Sequence, residues 1–498
     1  MTQNIRLKAL GSLFVLLAIL LALPSLALAE EAEGYSYVNL EKGFKLEVPQ
    51  ELVLDDSLKA VRTVFASENT RLEIYMDDFT DTVHSAASYQ SYSNLFLRNT
   101  RDHLRQVREV REIKGRSVQL LKWQREKLPA LENDKNYYLS AEIVASPKRV
   151  YTLLFKSDEP LKNEMQILES FQAFQSYGEA KLPRDYIKIS PGKKYSPEAK
   201  ELLEDYFGKS APQRWGIFEP TAPLEMETLK ALEERVEHEF STLVLYQGLN
   251  DFHFPREAMD NAAQAGKIVQ LTFQTYYQKG DNRGVLYAIL RGDYDKEIER
   301  YAQEIKDFGK PILFRLNNEM NGDWCPYSSY HHSKDTDIFI AVWRYFYDKF
   351  QEEGADNLLW VWNPNGEDMP GFAWNNALLY YPGDEYVDIV GLTAYNTGTY
   401  YRGEKWTSFD DLYRPLYFQY ANLSAKPLMI TEFGSSSSGG DKIAWLQDMF
   451  TRIPKYPRLK QIIWWNGIDW DGTKPARIYR LDESEEMLEV FKEGLGGF

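Results

Sequence analysis

Cysteine is almost missing from this chain. Cys325 is the only one in 498 residues, which excludes an intramolecular disulfide and a cysteine-built zinc cage. Histidine is scarce as well. The six (His84, His103, His238, His253, His331, His332) include no HExxH arrangement, so the common metalloprotease pattern is absent. Positive charge is in deficit: 58 Lys and Arg stand against 74 Asp and Glu, for a formal net charge of −16. Such a chain repels phosphate backbones, and a nucleic-acid partner is not expected. After residue 29 no apolar run is long enough to span a bilayer.

Aromatic residues are plentiful, with 33 Tyr, 26 Phe and 12 Trp. They suit large cores first and flat ligands such as sugar rings second. The length favours two domains, or a small domain beside one barrel of about 250 residues.

Residues 1–29 read as an export signal. Arg6 and Lys8 give a short positive start, Ala9 to Leu23 is a run of apolar and small residues, and Ala27-Leu28-Ala29 supplies the cleavage pattern. Losing those two cations takes the net charge from −16 to −18. The expected location is extracellular or cell-envelope, without stable membrane insertion after cleavage.

Residues 30–178 read as a smaller α+β accessory domain. Gly43 to Pro49, Arg71 to Met76, Ser117 to Trp123, Tyr137 to Val144 and Arg149 to Phe155 alternate as half-buried strands do. Helical spacing predicts helices over Ala87–Val110 and Glu164–Phe174, with the charged run Arg98–Arg116 on a solvated helix face. The opening GFKLEVP and the late strand-then-helix loosely resemble the PsbP/Mog1-type α/β sandwich, which implies no activity. The block holds no chemical constellation, and it is expected not to touch the chemistry. Residues 179–211 read as a linker, interrupted by Pro183, Pro191, Gly192 and Pro197.

From 212 to 498 strands alternate with helices. Eight short apolar runs begin at Arg214, Ser241, Lys267, Pro311, Asn357, Val387, Pro427 and Gln461. Gly309 and Gly354 close the helices Tyr294–Phe308 and Asp337–Glu353, and Asp441 caps another. Eight βα units predict an α/β fold, a (β/α)8 TIM barrel. No Gly-rich phosphate loop follows the first strand, which disfavours an open doubly wound sheet.

Active sites of such barrels lie at the C-terminal ends of the strands. The fourth run ends in Arg315-Leu316-Asn317-Asn318-Glu319-Met320-Asn321-Gly322-Asp323-Trp324, and the seventh in Thr431-Glu432-Phe433-Gly434. Two glutamates therefore reach the rim. An acetal is cleaved by supplying a proton to the departing oxygen and an anion to the cationic carbon. Two carboxyl groups about 5–5.5 Å apart do this with retention. One must start protonated, the other ionised.

FRLNNEMNGDW and ITEFG, together with WVWNPN (Trp360–Asn365), GLTAYN (Gly391–Asn396), GGDKIAW (Gly439–Trp445) and IIWWN (Ile462–Asn466), resemble glycoside hydrolase family 26 of the retaining clan A barrels. That family is best known for β-mannanases, with some β-glucanases and β-xylanases. The resemblance implies Glu319 as acid/base and Glu432 as nucleophile. It implies no metal or organic cofactor, and a polysaccharide or oligosaccharide as substrate. It further implies that Asn318 bonds the sugar 2-OH, that Trp324 stacks on the leaving-group side, that Tyr395 holds the nucleophile and that Trp464 floors the cleaved sugar, with Trp465 as the competing choice. Family 26 more often has His where Asn318 stands, a departure that bears on mannose preference. Arg315 is a candidate buried partner of a carboxylate, Asn363 and Gln274 are rim candidates, and Trp360 and Trp362 are either core or subsite. Cys325 lacks a positioned histidine base, and Ser435–Ser438 reads as a rim loop, since no G-x-S-x-G elbow is present. The alternative function is a carbohydrate-binding protein with a decayed site.

Overall fold

The computed structural model describes residues 34–498; the stretch read as an export signal lies outside the described residues. The N-terminal part contains β1 (Gly34–Asn39), β2 (Phe44–Pro49), β3 (Val53–Asp55), β4 (Thr63–Ala66), β5 (Thr70–Asp78), β6 (Leu104–Ile113), β7 (Arg116–Gln124), β8 (Tyr137–Ser146), β9 (Arg149–Ser157) and β10 (Gln172–Ala173), with helices α1 (Ala86–Tyr92) and α2 (Glu164–Ser170). Strands β1, β2 and β10 make a small sheet. The other seven run β3-β4-β5-β9-β8-β7-β6. Period-two burial explains the pairing: Phe44, Leu46 and Val48 point inward while Lys45 and Glu47 face solvent. The inward set packs with Leu72, Ile74, Leu139, Leu153 and Phe155.

Two expectations fail here. The helix over Ala87–Val110 stops at Tyr92, and Leu104–Ile113 is a strand. Val107, Val110 and Ile113 recur every three residues, which imitates a helix. The deciding feature is Lys114-Gly115, with φ of 51° and 76°, a two-residue hairpin turn joining Ile113 to Arg116. The charged run thus lies largely along an edge strand, where charge discourages pairing with a second chain. The second helix ends at Ser170, because Phe171 turns into the core and Gln172–Ala173 pair with β2.

The stretch read as a linker contains α3 (Pro197–Phe207). Ser196 caps it, its Oγ accepting from Ala199 N at 3.1 Å, and Pro197 fits the first turn. Ala199, Leu202 and Phe207 pack on Val244, Leu313, Val361, Met429 and Ile463. Those are inward-facing barrel residues, so α3 plugs the end of the barrel opposite the rim that carries Glu319 and Glu432.

The barrel strands are β11 (Arg214–Phe218), β12 (Thr242–Gly248), β13 (Ile268–Gln274), β14 (Ile312–Leu316), β15 (Leu358–Trp362), β16 (Ile389–Thr393), β17 (Leu428–Phe433) and β18 (Leu459–Trp465). They pair in parallel and close, β18 upon β11. Around them lie α4 (Glu227–Val236), α5 (Arg256–Gln264), α6 (Val285–Leu290), α7 (Asp295–Phe308), α8 (Thr336–Glu353), α9 (Phe409–Leu423), α10 (Lys442–Arg452) and α11 (Glu485–Leu495). Helix α7 buries Ile298, Tyr301, Ala302, Ile305 and Phe308 and ends on Gly309 at φ 68°. That is the 3.6-residue stripe and the left-handed cap read from sequence. The fold is the expected (β/α)8 barrel with a smaller α+β domain.

A hairpin, β19 (Ile468–Asp471) and β20 (Lys474–Ile478), follows the last barrel strand. The two domains share an apolar cluster: Tyr75, Phe79, Tyr89, Trp123 and Tyr138 meet Tyr330, Phe372, Trp374 and Leu379. Among the described residues no helix is long and apolar enough to cross a membrane.

Candidate active site

Strand alternation places Leu313 and Arg315 inside the barrel and Ile312, Phe314 and Leu316 against the helices. Arg315 is fully buried. Its Nε donates to Thr272 Oγ1 at 2.8 Å, one terminal nitrogen to Asn363 Oδ1 at 2.9 Å, and the other to Glu432 Oε2 at 2.9 Å. One guanidinium therefore links four strands and neutralises the carboxylate at its centre.

Glu432 reaches that position through a register shift in β17 between Ile430 and Phe433. Ile430 and Phe433 pack outward in the barrel–helix core. Thr431 and Glu432 both face inward, where Thr431 meets Thr393 Oγ1 at 2.9 Å. Such an irregularity re-aims a side chain. Gly391 makes room, since a Cβ there would lie 2.5 Å from Thr431 Cγ2. Tyr246 also donates its phenol to Glu432 Oε2. The other oxygen, Oε1, receives only Asn318 Nδ2 among the described residues, at 3.5 Å.

Glu319 sits just past β14 on a contorted backbone. Asn317 and Glu319 have φ of 51° and 53°, the left-handed region that costs a glutamate on the order of 1–3 kcal/mol. Neighbours impose it: Asn317 N donates to Phe273 O at 2.9 Å, Glu319 N to Asn363 O at 2.8 Å, and Gly322 N to Glu319 O at 2.8 Å. The half-buried Glu319 carboxyl is pushed up to about 8, first by desolvation and then by the negative charge of Glu432. The Trp324 indole N–H contacts the same carboxyl and opposes that shift.

Two acids are thus held differently at one barrel mouth, one inside a cradle of donors and one that retains its proton. A family model described as Glycosyl hydrolase family 26 matches residues 252–426. That match lies within the barrel, between β12 and β17. Endoglucanase H of Acetivibrio thermocellus is 31% identical over 264 residues, covering 51% of this chain and 27% of that protein. A mannan endo-1,4-beta-mannosidase of Bacillus subtilis is 29% identical over 177 residues, covering 34% of this chain and 42% of that protein. This chain therefore spans less than half the length of either curated relative. Among solved structures, the catalytic domain of a Bacillus sp. JAMB-750 endo-beta-1,4-mannanase aligns with a TM-score of 0.48 and 18% identity, over 61% of this chain and 90% of that one.

Within the barrel the remaining expected residues divide. Asn318 is buried beside the pair. Its Oδ1 accepts from Gln274 Nε2 at 2.9 Å, and its carbonyl accepts from the Tyr327 hydroxyl at 2.6 Å. The amide N–H2 is thereby turned toward Glu432. Trp324 is 51% exposed, a free ring face beside Glu319. Tyr395 stands at the rim, edge-on to Trp465 at 6.2 Å. Burial first, and then the charge of Glu432, hold its phenol protonated, but the hydroxyl bound to Glu432 is that of Tyr246.

Trp464 is a correction. It is fully buried between β18 and the outer helices, against Phe433, Trp445 and Phe491, and its indole N–H donates to Tyr479 O at 2.9 Å. It cannot touch a sugar. Alternation places Trp465 inward instead, half-buried and stacked on Phe218 at 5.2 Å. Trp360 and Trp362 are core for the same reason. Asn363, a rim candidate by sequence, is fully buried and serves as a connector. Ser435 and Ser436 are buried too, and Asn396 Nδ2 donates to Ser435 Oγ at 2.8 Å. Burial raises the Cys325 thiol well above its ordinary range, which leaves it unreactive.

Sequence reasoning missed Tyr246 and named Trp465 only as the competing choice to Trp464. Tyr246 closes the second apolar run, so the rule applied to strands four and seven would have found it. Trp465 needed only the parity of β18.

Proposed function

We propose that this protein is an exported retaining β-glycoside hydrolase that cuts within a β-linked polysaccharide, β-mannan first. The observation carrying the proposal is the inequality of the two acids. Glu432 sits between the Arg315 guanidinium and the Tyr246 phenol, while Glu319 keeps its proton into mildly alkaline solution. Double displacement requires that division.

In the first step Glu319 gives its proton to the glycosidic oxygen as a Glu432 oxygen attacks the anomeric carbon. Oε1 is the attacking atom, because Oε2 is occupied by two donors. The carbon–oxygen bond to the leaving group breaks and an alcohol departs. Glu319, now anionic, takes a proton from water. That oxygen attacks the same carbon and releases Glu432. Asn318, with its amide fixed by Gln274 and Tyr327, is placed to bond the 2-hydroxyl, a contact that strengthens in the transition state. Trp465 and Tyr395 are the candidate floor and wall beneath the sugar, with Trp324 on the leaving-group side.

A β-glucan is the second reading. It is favoured by the likeness to an endoglucanase over 51% of this chain, together with Asn318 at a position where histidine is the commoner residue. The test is product release from β-mannan, lichenan and β-1,3-xylan, with NMR of the first anomer formed. We expect one preferred glycan, a β-configured first product, and loss of at least about 10³-fold in Glu432→Ala. A parent that binds these glycans and cleaves none would instead identify a decayed site, and an inverted first product would remove the covalent intermediate.

A further inference from the structure

The segment from Glu319 to Asp335 carries the acid/base and its indole neighbour, then leads into α8. Its first half is fastened to the barrel. Asn321 Nδ2 donates to Asn365 O at 3.1 Å and to Asp368 Oδ1 at 2.9 Å. The second half is fastened to the other domain. Lys334 Nζ donates to Glu142 at 2.6 Å and Ser140 Oγ at 3.1 Å. His103 Nε2 lies 2.5 Å from Ser333 Oγ, and Lys156 Nζ donates to Asp335 Oδ1 at 2.7 Å. Ser333 and Lys334 have φ of 61° and 57°. This local strain is held in place by N-terminal groups.

Between these anchors stands one contact nearer the chemistry. Tyr92, the last residue of α1, donates its hydroxyl to the carboxylate of Asp323, and its ring stacks on Tyr330 at 4.9 Å and 27°. The carbonyl of Asp323 is within 2.8 Å of His331 Nε2. Asp323 is therefore fixed through both its side chain and its backbone. The next residue is Trp324, whose indole contacts Glu319. The neighbouring loop that frames this side, Phe372–Trp374, leans on the same domain: Ala373 N donates to Asp77 Oδ1 at 2.7 Å and the Trp374 indole to Tyr89 at 3.1 Å.

We propose that the N-terminal domain is part of the catalytic unit, with Tyr92 as a positioning residue that clamps Asp323 and thereby sets Trp324 against Glu319. The inference rests on reading Glu319 as the acid/base. It departs from the expectation that this domain stands apart from the chemistry. None of its described residues is in hydrogen-bond contact with either catalytic glutamate; it acts by holding the loop that carries one of them. Tyr92 is 42% exposed and Trp324 51%, so both rings also remain open to a chain lying along this side of the cleft.

The test uses the full-length protein with Tyr92→Phe, which keeps the ring stack and removes the hydroxyl, and Tyr92→Ala, which removes both. Three measurements are compared with the parent. On polysaccharide, kcat should fall roughly tenfold, as a misplaced acid requires, with the alkaline limb of the pH profile moved to lower pH as Glu319 becomes better hydrated. On an aryl glycoside whose leaving group needs no proton, kcat/KM, which reports only the first step, should stay within about twofold. Amide hydrogen exchange should quicken across residues 319–331. In Tyr92→Phe combined with Asp323→Ala, the losses should not add, because both remove one contact. Unchanged kcat, pH limb and exchange in both variants would overturn the proposal. A parent inactive on every glycan would instead sink the hydrolase reading, and the exchange measurement would still decide whether Tyr92 braces the loop.

Discussion

Arg315 and Glu432 form an ion pair at 2.9 Å with side chains 0% and 4% exposed. They project from the fourth and seventh barrel strands into one enclosed space. Burial makes the pair asymmetric in its consequences. Both charges together are tolerated, but either alone is an uncompensated ion in a poor solvent.

Arg315→Met is therefore expected to cost about 3–5 kcal/mol of stability and to abolish turnover. The double variant Arg315→Met with Glu432→Leu should regain much of that stability and none of the activity. Denaturant unfolding of the parent, both single variants and the double variant decides it. Additive losses would mean that the pair is not coupled.

The pH dependence follows from Glu319. As the proposed acid it must be protonated to act, and its proton leaves at about 8. Polysaccharide cleavage is expected to be full below that value and to decline as pH rises through it. The same group makes stability pH-dependent. Its folded affinity for the proton lies above the ordinary 4.5, so the folded state holds a proton the unfolded chain has lost. Stability from this group falls as pH rises from about 4.5 to about 8. Glu319→Gln should flatten the stability curve across that window. An unaltered slope would assign the dependence to other groups.

Adjacent tryptophans on β18 should behave oppositely. Trp464→Ala removes a fully buried ring and is expected to cost about 3–5 kcal/mol, with the kinetics of the remaining folded protein little changed. Trp465→Ala removes a half-buried ring at the barrel mouth. It is expected to raise KM or lower kcat by about five- to tenfold, since ring stacking contributes on the order of 1 kcal/mol, while costing less stability than Trp464→Ala. Thermal unfolding and steady-state kinetics on one glycan separate the two. The reverse pattern would invert the reading of strand parity.

Much of the architecture could be read locally. The eight barrel strands, the Gly309 and Gly354 caps and the two rim glutamates follow from hydrophobic period, left-handed caps and position after a strand. Each depends on residues within a few places of one another. The failures were also local in form. Val107, Val110 and Ile113 suggested a helix until the turn at Lys114-Gly115 turned that segment into a hairpin. The proline and glycine of residues 179–211 suggested a linker, although Ser196-Pro197 is a helix start.

By itself, the sequence determined that a (β/α)8 barrel forms and that Glu319 and Glu432 end at the same rim, because side-chain periodicity and the polarity of parallel strands are properties of contiguous residues. Only the tertiary structure decided that Tyr246 binds Glu432 and that Tyr92 of a separate domain reaches Asp323 in the loop beside Glu319. Those contacts join residues from 186 to 231 positions apart for Tyr246–Glu432 and Tyr92–Asp323. They depend on barrel closure, on a register shift and on how two domains dock, and none of these is encoded in any short stretch of the chain.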